Sequence, residues 1–255
     1  MLRCTTRWRA LWLLPSLLWL LLASPGALAA GPGGALTFGG SLVATSDYIY
    51  RGVSSSNNEP AVQADLHLSF RDGTFIGVWG SSRDGTLDPY ANYEVEIYLG
   101  HRFDLTPAWS ATLTGRAHYF LGGQQEVSDD YQEVSAALTW LDAWTVSLTA
   151  IPSAPRYWFY DRISRAPAFV AETSAQWLLV HGLFLTGGAG YYHATGTGPG
   201  VEAATGYGYG DVGIAWEHRH WRLEVAYYLT GHKAEQVMPY PSADEHVAGS
   251  VIWRF

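Results

Sequence analysis

The last nine residues of the sequence, Val247-Ala-Gly-Ser-Val-Ile-Trp-Arg-Phe255, alternate between two kinds of side chain. One alternate set is mostly apolar and consists of Val247, Gly249, Val251, Trp253 and Phe255. Successive side chains of a β-strand point to opposite faces, so this set forms one stripe along a strand. We expect this strand to close a transmembrane β-barrel by pairing with the first strand of the chain.

The same alternation recurs upstream and predicts an all-β, up-and-down antiparallel barrel of twelve strands. Short turns are predicted near residues 72, 105, 142, 181 and 219, and long loops near residues 55, 86, 126, 160, 200 and 238. An even strand number, with short turns at one end and long loops at the other, is typical of bacterial outer-membrane barrels. A soluble β-sandwich has no reason to sort its connections by length in this way.

Three segments receive specific expectations. The first strand begins near Leu36 and is predicted to end near Arg51. Residues 152–167 are predicted to be a long insertion, and residues 196–206 a glycine-rich loop, because Pro and Gly interrupt the strand pattern there.

Aromatic residues cluster near the predicted strand ends, as in the interfacial girdles of membrane barrels. The girdle at the short turns is predicted to contain Phe70, Phe75, Phe103, Trp109, Trp140, Trp144, Trp177, Trp216, Trp221, Trp253 and Phe255. The girdle at the long loops is predicted to contain Tyr48, Tyr50, Tyr93, Tyr119, Tyr191 and Tyr227. Scatter caused by the strand propensity of aromatic residues is the simpler alternative, and it does not explain the clustering.

The first 29 residues have the order of a secretory signal peptide: a basic start, an apolar core over residues 11–22, and the small-residue site Ala27-Leu28-Ala29. We expect cleavage to leave residues 30–255 as one barrel domain. Cys4, the single cysteine, would leave with the signal, so no disulfide is expected. Without Arg3, Arg7 and Arg9, 12 basic residues stand against 23 acidic ones. This acidic balance argues against a nucleic-acid partner.

With the apolar faces outside, the polar faces predict a set of pore-lining residues. Its acidic members are Asp47, Asp65, Glu94, Glu96, Glu133, Glu172, Asp211, Glu217 and Glu224. Its other members are Arg51, Gln63, His67, Asn92, Arg116, His118 and Arg222, with Arg254 on the closing strand. The acidic excess would favour cations in a water-filled lumen. The alternative is that the charges pair across a small barrel and partly fill it.

Arg51 is predicted at the mouth of the pore, where it either holds an anionic solute group or latches the first long loop to a carboxylate. Enzymatic activity is not expected. His67 and Ser69 share one strand face, but residues two apart on a strand point in parallel, and no oxyanion-hole motif accompanies them. No metal site and no cofactor are predicted. His218 and His220 flank a turn and fit an interfacial position better than a metal site.

Several short motifs together resemble the opening of the TorF family of porin-like proteins, a proteobacterial outer-membrane group largely described as conserved hypothetical. They are Thr45-Ser-Asp-Tyr48, Arg51-Gly-Val-Ser54, Pro60-Ala-Val-Gln63 and Gly77-Val-Trp-Gly-Ser81. Glu94-Val-Glu-Ile-Tyr-Leu-Gly100 and Phe255 are also similar. The sharp resemblance covers about the first third of the mature chain. It implies an outer-membrane location and a pore, and it implies no particular solute.

Together these patterns predict an outer-membrane, porin-like channel for passive diffusion of small polar or cationic solutes. The alternative is a filled structural barrel whose long loops bind a partner or a surface. The expected partners are outer-membrane lipids and the outer-membrane assembly machinery. The closing strand that ends at Phe255 resembles the C-terminal signal this machinery reads. The sequence does not fix the oligomeric state.

Overall fold

The structure is a computed structural model that describes residues 36–84, 91–122, 129–159, 162–196, 204–236 and 245–255. For residues 156–159, 162–164 and 235–236 it describes the backbone alone. The predicted signal peptide, residues 1–29, lies outside these ranges. Within them, no helix has both the length and the apolar character needed to cross a membrane.

The described chain is built from strands and one 3₁₀ turn. In chain order the strands are β1 (Leu36–Thr45), β2 (Ile49–Tyr50), β3 (Val53–Ser54), β4 (Ala61–Phe70), β5 (Thr74–Ser82), β6 (Ala91–Asp104), β7 (Trp109–Gly122), β8 (Tyr131–Trp140), β9 (Trp144–Phe159), β10 (Arg162–Val180), β11 (Leu183–Ala194), β12 (Thr205–His218), β13 (Trp221–Thr230) and β14 (His246–Arg254). The 3₁₀ turn covers His232–Gln236.

All strands except β2 and β3 form one closed antiparallel barrel, in which each strand pairs with its sequence neighbours. The barrel closes between β1 and β14, where Ala44 lies opposite Val251. The main-chain N–H groups of Gly40 and Phe255 each donate to the other residue's carbonyl oxygen, at 3.1 Å. The predicted twelve-strand barrel, including its closure by the C-terminal strand, is confirmed.

The wall alternates between an apolar outside and an inside that is mostly polar. On β13, Leu223 and Val225 are exposed, while Arg222 and Glu224 are buried. On β6, Ile97 and Leu99 are exposed. A continuous apolar exterior of this kind is stable only when lipid or another apolar phase covers it.

The short turns come where they were predicted, and positive backbone φ angles shape several of them. Leu141 and Asp142 have φ angles of 49° and 53°, as the two-residue turns of right-twisted hairpins require. At the first turn, the main-chain N–H of Thr74 donates to the Asp72 carboxylate at 3.0 Å. This hydrogen bond stabilises the charged form and lowers the pKa of the Asp72 carboxyl.

The first connection differs from its prediction. β1 ends at Thr45, well before Arg51, and β2 and β3 then form a small hairpin that folds into the barrel. We call residues 49–54 the inner hairpin. Its turn is Arg51-Gly52, with φ angles of 50° and 79°, the combination that closes a two-residue hairpin. Strand alternation does not reveal such a turn. The residue type gives no signal either, because Arg is unusual at a positive φ angle.

The predicted insertion at residues 152–167 is also wrong. In this segment β9 covers residues 152–159 and β10 covers residues 162–167 as paired strands, with Phe159 opposite Arg162. Register shifts next to Ile163 and Pro167 accommodate the irregular sequence. The predicted glycine-rich loop likewise ends earlier, because β12 already begins at Thr205.

The aromatic girdles are present with exceptions. Trp140, Trp177 and Trp221 are exposed near the short turns, and Tyr93 and Tyr191 are exposed near the long loops. Three other predicted members point inward. Phe75 is buried beside Tyr98 in the lumen. Tyr50 lies in the inner hairpin and Tyr48 directly precedes it, and both side chains pack inside the barrel.

Candidate functional site in the barrel lumen

The structure collects most of the predicted pore-lining residues inside the barrel. Those that are buried are Asp47, Arg51, Asp65, Glu94, Glu96, Arg116, His118, Glu133, Arg222 and Glu224. Those that are partly buried are Gln63, His67, Glu172, Asp211 and Glu217. Alternation identifies the inward face, and strand register then decides which of these side chains meet.

Asn92 is the exception among them. The register of β6 against β7 shifts between Ala91 and Tyr93, so Asn92 is the extra residue of a β-bulge. It is exposed, and its side-chain amide donates to the Gly122 carbonyl oxygen at 2.7 Å. The prediction for Asn92 is therefore wrong, because the bulge takes it out of the alternation.

Charged side chains of β6, β7 and β8, together with Arg51 of the inner hairpin, form one buried group near the long loops. We call this the long-loop network; it consists of Arg51, Glu94, Glu96, Arg116, His118 and Glu133. Register places Glu96 opposite His118, and Arg116 opposite Glu133. Arg116 lies 2.9 Å from Glu96 through Nε and 2.8 Å from Glu133 through Nη1. Each arginine–carboxylate contact compensates a charge that burial would otherwise penalise.

His118 lies at the centre of this network and is fully buried. Its Nδ1 is 3.1 Å from Glu94 Oε1 and 3.2 Å from Glu96 Oε1, and its Nε2 is 3.6 Å from Glu133 Oε1. Its ring also stacks on Tyr131 at a centroid distance of 4.1 Å.

The possible ligand atoms of Glu94, Glu96 and His118 lie within 4.8 Å of one another, a spacing that a metal ion could use. Arg116 already engages Glu96, and Arg83 Nη1 lies 3.4 Å from Glu94 Oε2. The charges of this group are therefore balanced by arginines, and we assign no metal to it.

The inner hairpin is latched to the long-loop network. Arg51 Nη2 lies 2.7 Å from Glu133 Oε2, with both side chains 1% exposed. The Tyr48 hydroxyl donates to Glu94 at 3.1 Å, and the Tyr50 and Tyr131 hydroxyls are 3.0 Å apart. Of the two roles predicted for Arg51, the latch to a carboxylate is the one this geometry displays.

The tip of the hairpin reaches the opposite wall. The Thr230 hydroxyl, at the end of β13, donates to the Gly52 carbonyl oxygen. Val53 packs in an apolar cluster that includes Ile151 of β9, Val170 of β10 and Tyr207 of β12. The hairpin therefore crosses the lumen from the wall of β6–β8 to the wall of β9–β13.

Hydrogen bonds among the residues at and next to the two ends of the inner hairpin support its position. The Asp47 carboxylate accepts from Ser54 Oγ at 2.6 Å and from Ser56 Oγ at 3.0 Å. The Tyr48 main-chain N–H donates to Ser56 Oγ at 2.8 Å. Asp47 was predicted on the face of β1, but it lies beyond the strand and organises the loop.

A second group of charges lies near the short turns and pairs internally. Arg222 Nη1 lies 2.7 Å from Glu217 and its Nε lies 3.0 Å from Glu224, while Arg254 Nη1 lies 3.2 Å from Glu217. We call these four residues the short-turn network. The side-chain carbonyl of Gln176 accepts a further hydrogen bond from Arg222 at 3.3 Å.

Asp65 and His67 make a separate pair. His67 Nδ1 lies 2.7 Å from Asp65 Oδ1, and the Tyr98 hydroxyl donates to Asp65 Oδ2 at 2.6 Å. Among the described residues no hydrogen bond joins His67 to Ser69. The nucleophile-to-base contact that a serine hydrolase needs is thus missing from this geometry.

Several residues of the site were not predicted from the sequence. Arg83 lies outside the strand alternation; it follows β5 directly, and its guanidinium reaches the Glu94 carboxylate. Trp79 and Tyr98 lie inside the barrel beside Tyr48, so part of the interior is apolar. The one sequence signal for Trp79 and Tyr98 is that each occupies an inward-facing position in the alternation of its strand, β5 or β6.

The comparisons with known proteins agree with this architecture. Residues 29–234 match the model of the family described as "Bacterial protein of unknown function (Gcw_chp)". The chain belongs to this family. No curated protein matches the sequence.

Solved structures with the same fold include the NanC porin, with a TM-score of 0.55 and 8% sequence identity over 84% of this chain and 97% of that one. A membrane-protein structure from work on in-meso crystallization has a TM-score of 0.54 and 13% identity, over 86% of this chain and 83% of that one. At such identities the likeness shows a shared barrel fold, and the long-loop network has to be interpreted from its own geometry.

Proposed function

We propose that this protein is a narrow outer-membrane channel for passive diffusion of small polar or cationic solutes, with the inner hairpin as its constriction. The observation that carries the proposal is the combination of a closed twelve-strand barrel, an apolar exterior and a charged interior crossed by an inward loop. The long loops would face outward from the cell and the short turns the periplasm, as in other barrels of this class. The resemblance to the TorF family supports the same location.

The preference for cations rests on the charge of the interior. Of the charged side chains predicted for the lumen, together with Arg83, nine are acidic and five are arginines. Asp65 and Glu172 accept hydrogen bonds from tyrosine hydroxyls, at 2.6 Å each. Within the described residues neither of these carboxylates forms an ion pair with an arginine, so both add to a negative potential, which raises the local concentration of cations.

Liposome swelling tests this proposal. Liposomes containing the refolded chain should admit a neutral monosaccharide and choline faster than a neutral disaccharide or gluconate, because a narrow acidic passage selects by size and charge. Protein-free liposomes and liposomes with heat-denatured chain are the controls. Swelling no faster than these controls, with folded barrel shown on a gel, would contradict the channel.

A second function is favoured by one observation. The side chains of the long-loop network are almost fully buried, as in a barrel whose lumen is filled. In that case the long loops would bind a partner or a surface, and swelling would be absent. Replacing individual long loops would then abolish surface binding and leave the barrel folded.

A further inference from the structure

A cavity lies between the inner hairpin and the wall of β6–β11. Tyr50, Arg51 and Ser54 of the hairpin line one side, and Arg83, Phe120 and Tyr131 line the other. Inside this cavity, the volume open to the centres of water-sized molecules is about 80 Å³. Since one water needs about 10–15 Å³ by this measure, the space holds roughly five to eight waters, which is room for a small organic molecule.

The charged side chains that line this cavity include more arginines than carboxylates, unlike those of the lumen as a whole. Arg51 and Arg83 both line it, against the single carboxylate of Glu94. Glu94 already accepts from Tyr48 and lies 3.1 Å from His118. Glu133, the ion-pair partner of Arg51, does not line the cavity, so the charged side chains at its surface are two guanidinium groups and one carboxylate.

Both guanidinium groups are held in place by their surroundings. The Arg51 guanidinium lies 4.6 Å from the centroid of the Tyr50 ring, and the Arg83 guanidinium lies 4.9 Å from that of Phe120. Ion pairs to Glu133 and Glu94 restrain the two guanidinium groups further. A guanidinium held in this way loses little conformational entropy when it binds an anion.

Arg51 also retains an unused donor. It is 1% exposed, and within the described part of the chain its Nε–H has no hydrogen-bond partner. A buried donor without a partner is costly and is rarely left so, because buried polar groups are normally satisfied by protein, water or a ligand. Tyr131, Phe120 and Tyr192 line the same cavity and supply flat apolar surface to it.

We infer that this cavity is a binding site for a small organic carboxylate with a flat body. The carboxylate would accept hydrogen bonds from Arg51 Nε and from Arg83, and the body would lie against the aromatic rings. Binding of the carboxylate does not depend on the proposed function. Only its consequence rests on the proposed function: in a channel, a bound carboxylate would slow the passage of solutes at the constriction.

The binding itself is measured without any transport. The probe is 4-fluorobenzoate, followed by fluorine NMR line broadening with the refolded full-length mature chain in detergent. The uncharged 4-fluorobenzamide is the matched control for partition into micelles. We expect saturable broadening of the carboxylate alone, and about a tenfold weaker affinity for Arg83→Gln and for Arg51→Lys, the loss typical of one charged hydrogen bond.

Arg102→Gln, at the short-turn end, makes the same chemical change far from the cavity and should bind as the unmodified chain does. Arg51→Lys keeps the positive charge of the latch, so a folded barrel is expected for it. Equal broadening by the two probes, or unchanged affinity in both arginine variants, would overturn the inference. Carboxylate binding without conductance would refute the channel alone, and conductance without binding would refute this site alone.

Discussion

At the scale of single residues, Glu133 joins two elements that the sequence does not bring together. It pairs with Arg116 on the neighbouring strand and with Arg51 at the tip of the inner hairpin. Replacing Glu133 by Gln leaves two buried guanidinium groups without their full countercharge. Breaking a buried pair typically costs about 3–5 kcal/mol, so we expect a clear loss of stability. The measurement is the denaturant midpoint of the folded barrel in lipid, and a midpoint equal to that of the exposed control Glu59→Gln would contradict this role.

Gly52 is the second residue whose identity the structure explains. Its φ angle is +79°, and a Cβ atom there would lie 2.6 Å from Thr230 Oγ1 and 2.6 Å from Tyr209 Cβ. Gly52→Ala should therefore loosen the inner hairpin by about 1–3 kcal/mol. We expect faster proteolysis within residues 46–60 of this variant. Gly115→Ala, where a Cβ would meet nothing within 4 Å, is the matched control.

The sequence predicts much of the site at this scale, and the reason is physical. Alternation fixes which face a residue occupies, so it places Glu94, Glu96 and His118 inside the barrel without any information about their contacts. It does not fix register, and it fails at a bulge, so the pairs of Arg116 and the exposure of Asn92 could not be predicted. Arg83 was missed because it lies past the end of a strand, where the period of two no longer applies.

At the scale of elements, the inner hairpin is the feature that alternation could not reveal. Its strands are two residues long, too short to show a period, and its turn places Arg at a positive φ angle. Its burial comes from contacts with residues far away in sequence, such as Glu133 and Thr230. The same limit applies to the prediction for β9 and β10. The prolines of residues 152–167 suggest a loop, but the two strands pair there, with register shifts that accommodate the prolines.

The inner hairpin should control the size of the passage. If residues 49–54 are replaced by a Gly-Ser linker, the Tyr50 ring and the Arg51 guanidinium leave the cross-section. We expect the conductance of single channels to rise several-fold, since it depends on the narrowest section. Replacing residues 123–128 by the same linker is the control. Equal conductance in both variants would show that the hairpin is not the constriction.

At the scale of the whole molecule, the exterior should be matched to a bilayer. Val225 lies at the middle of β13, and Val247 lies close to the long-loop end of β14; they are 57% and 66% exposed. A lysine on the lipid face costs about 2–4 kcal/mol at the midplane and about 0–1 near the interface. Val225→Lys should therefore destabilise the barrel in lipid much more than Val247→Lys does. Equal costs would contradict the assignment of this surface to lipid.

Closure of the barrel should also matter for assembly. Phe255 bonds to Gly40 through both main-chain groups, and its ring lies 6.1 Å from that of Phe38. We expect deletion of Phe255 to reduce the folded fraction in cells, because the closing contact and the predicted assembly signal are lost together. Refolding in detergent separates the two effects: a variant that refolds normally but does not assemble in cells has lost the signal.

The most direct test of the central claim is single-channel conductance of refolded residues 30–255 in a planar bilayer, with a salt gradient across it. A narrow channel with an acidic interior predicts small discrete conductance steps and a reversal potential that favours cations. A silent bilayer, with the folded barrel confirmed by its heat-dependent migration on a gel, would contradict the channel. It would then leave the filled barrel with binding loops as the function this structure supports.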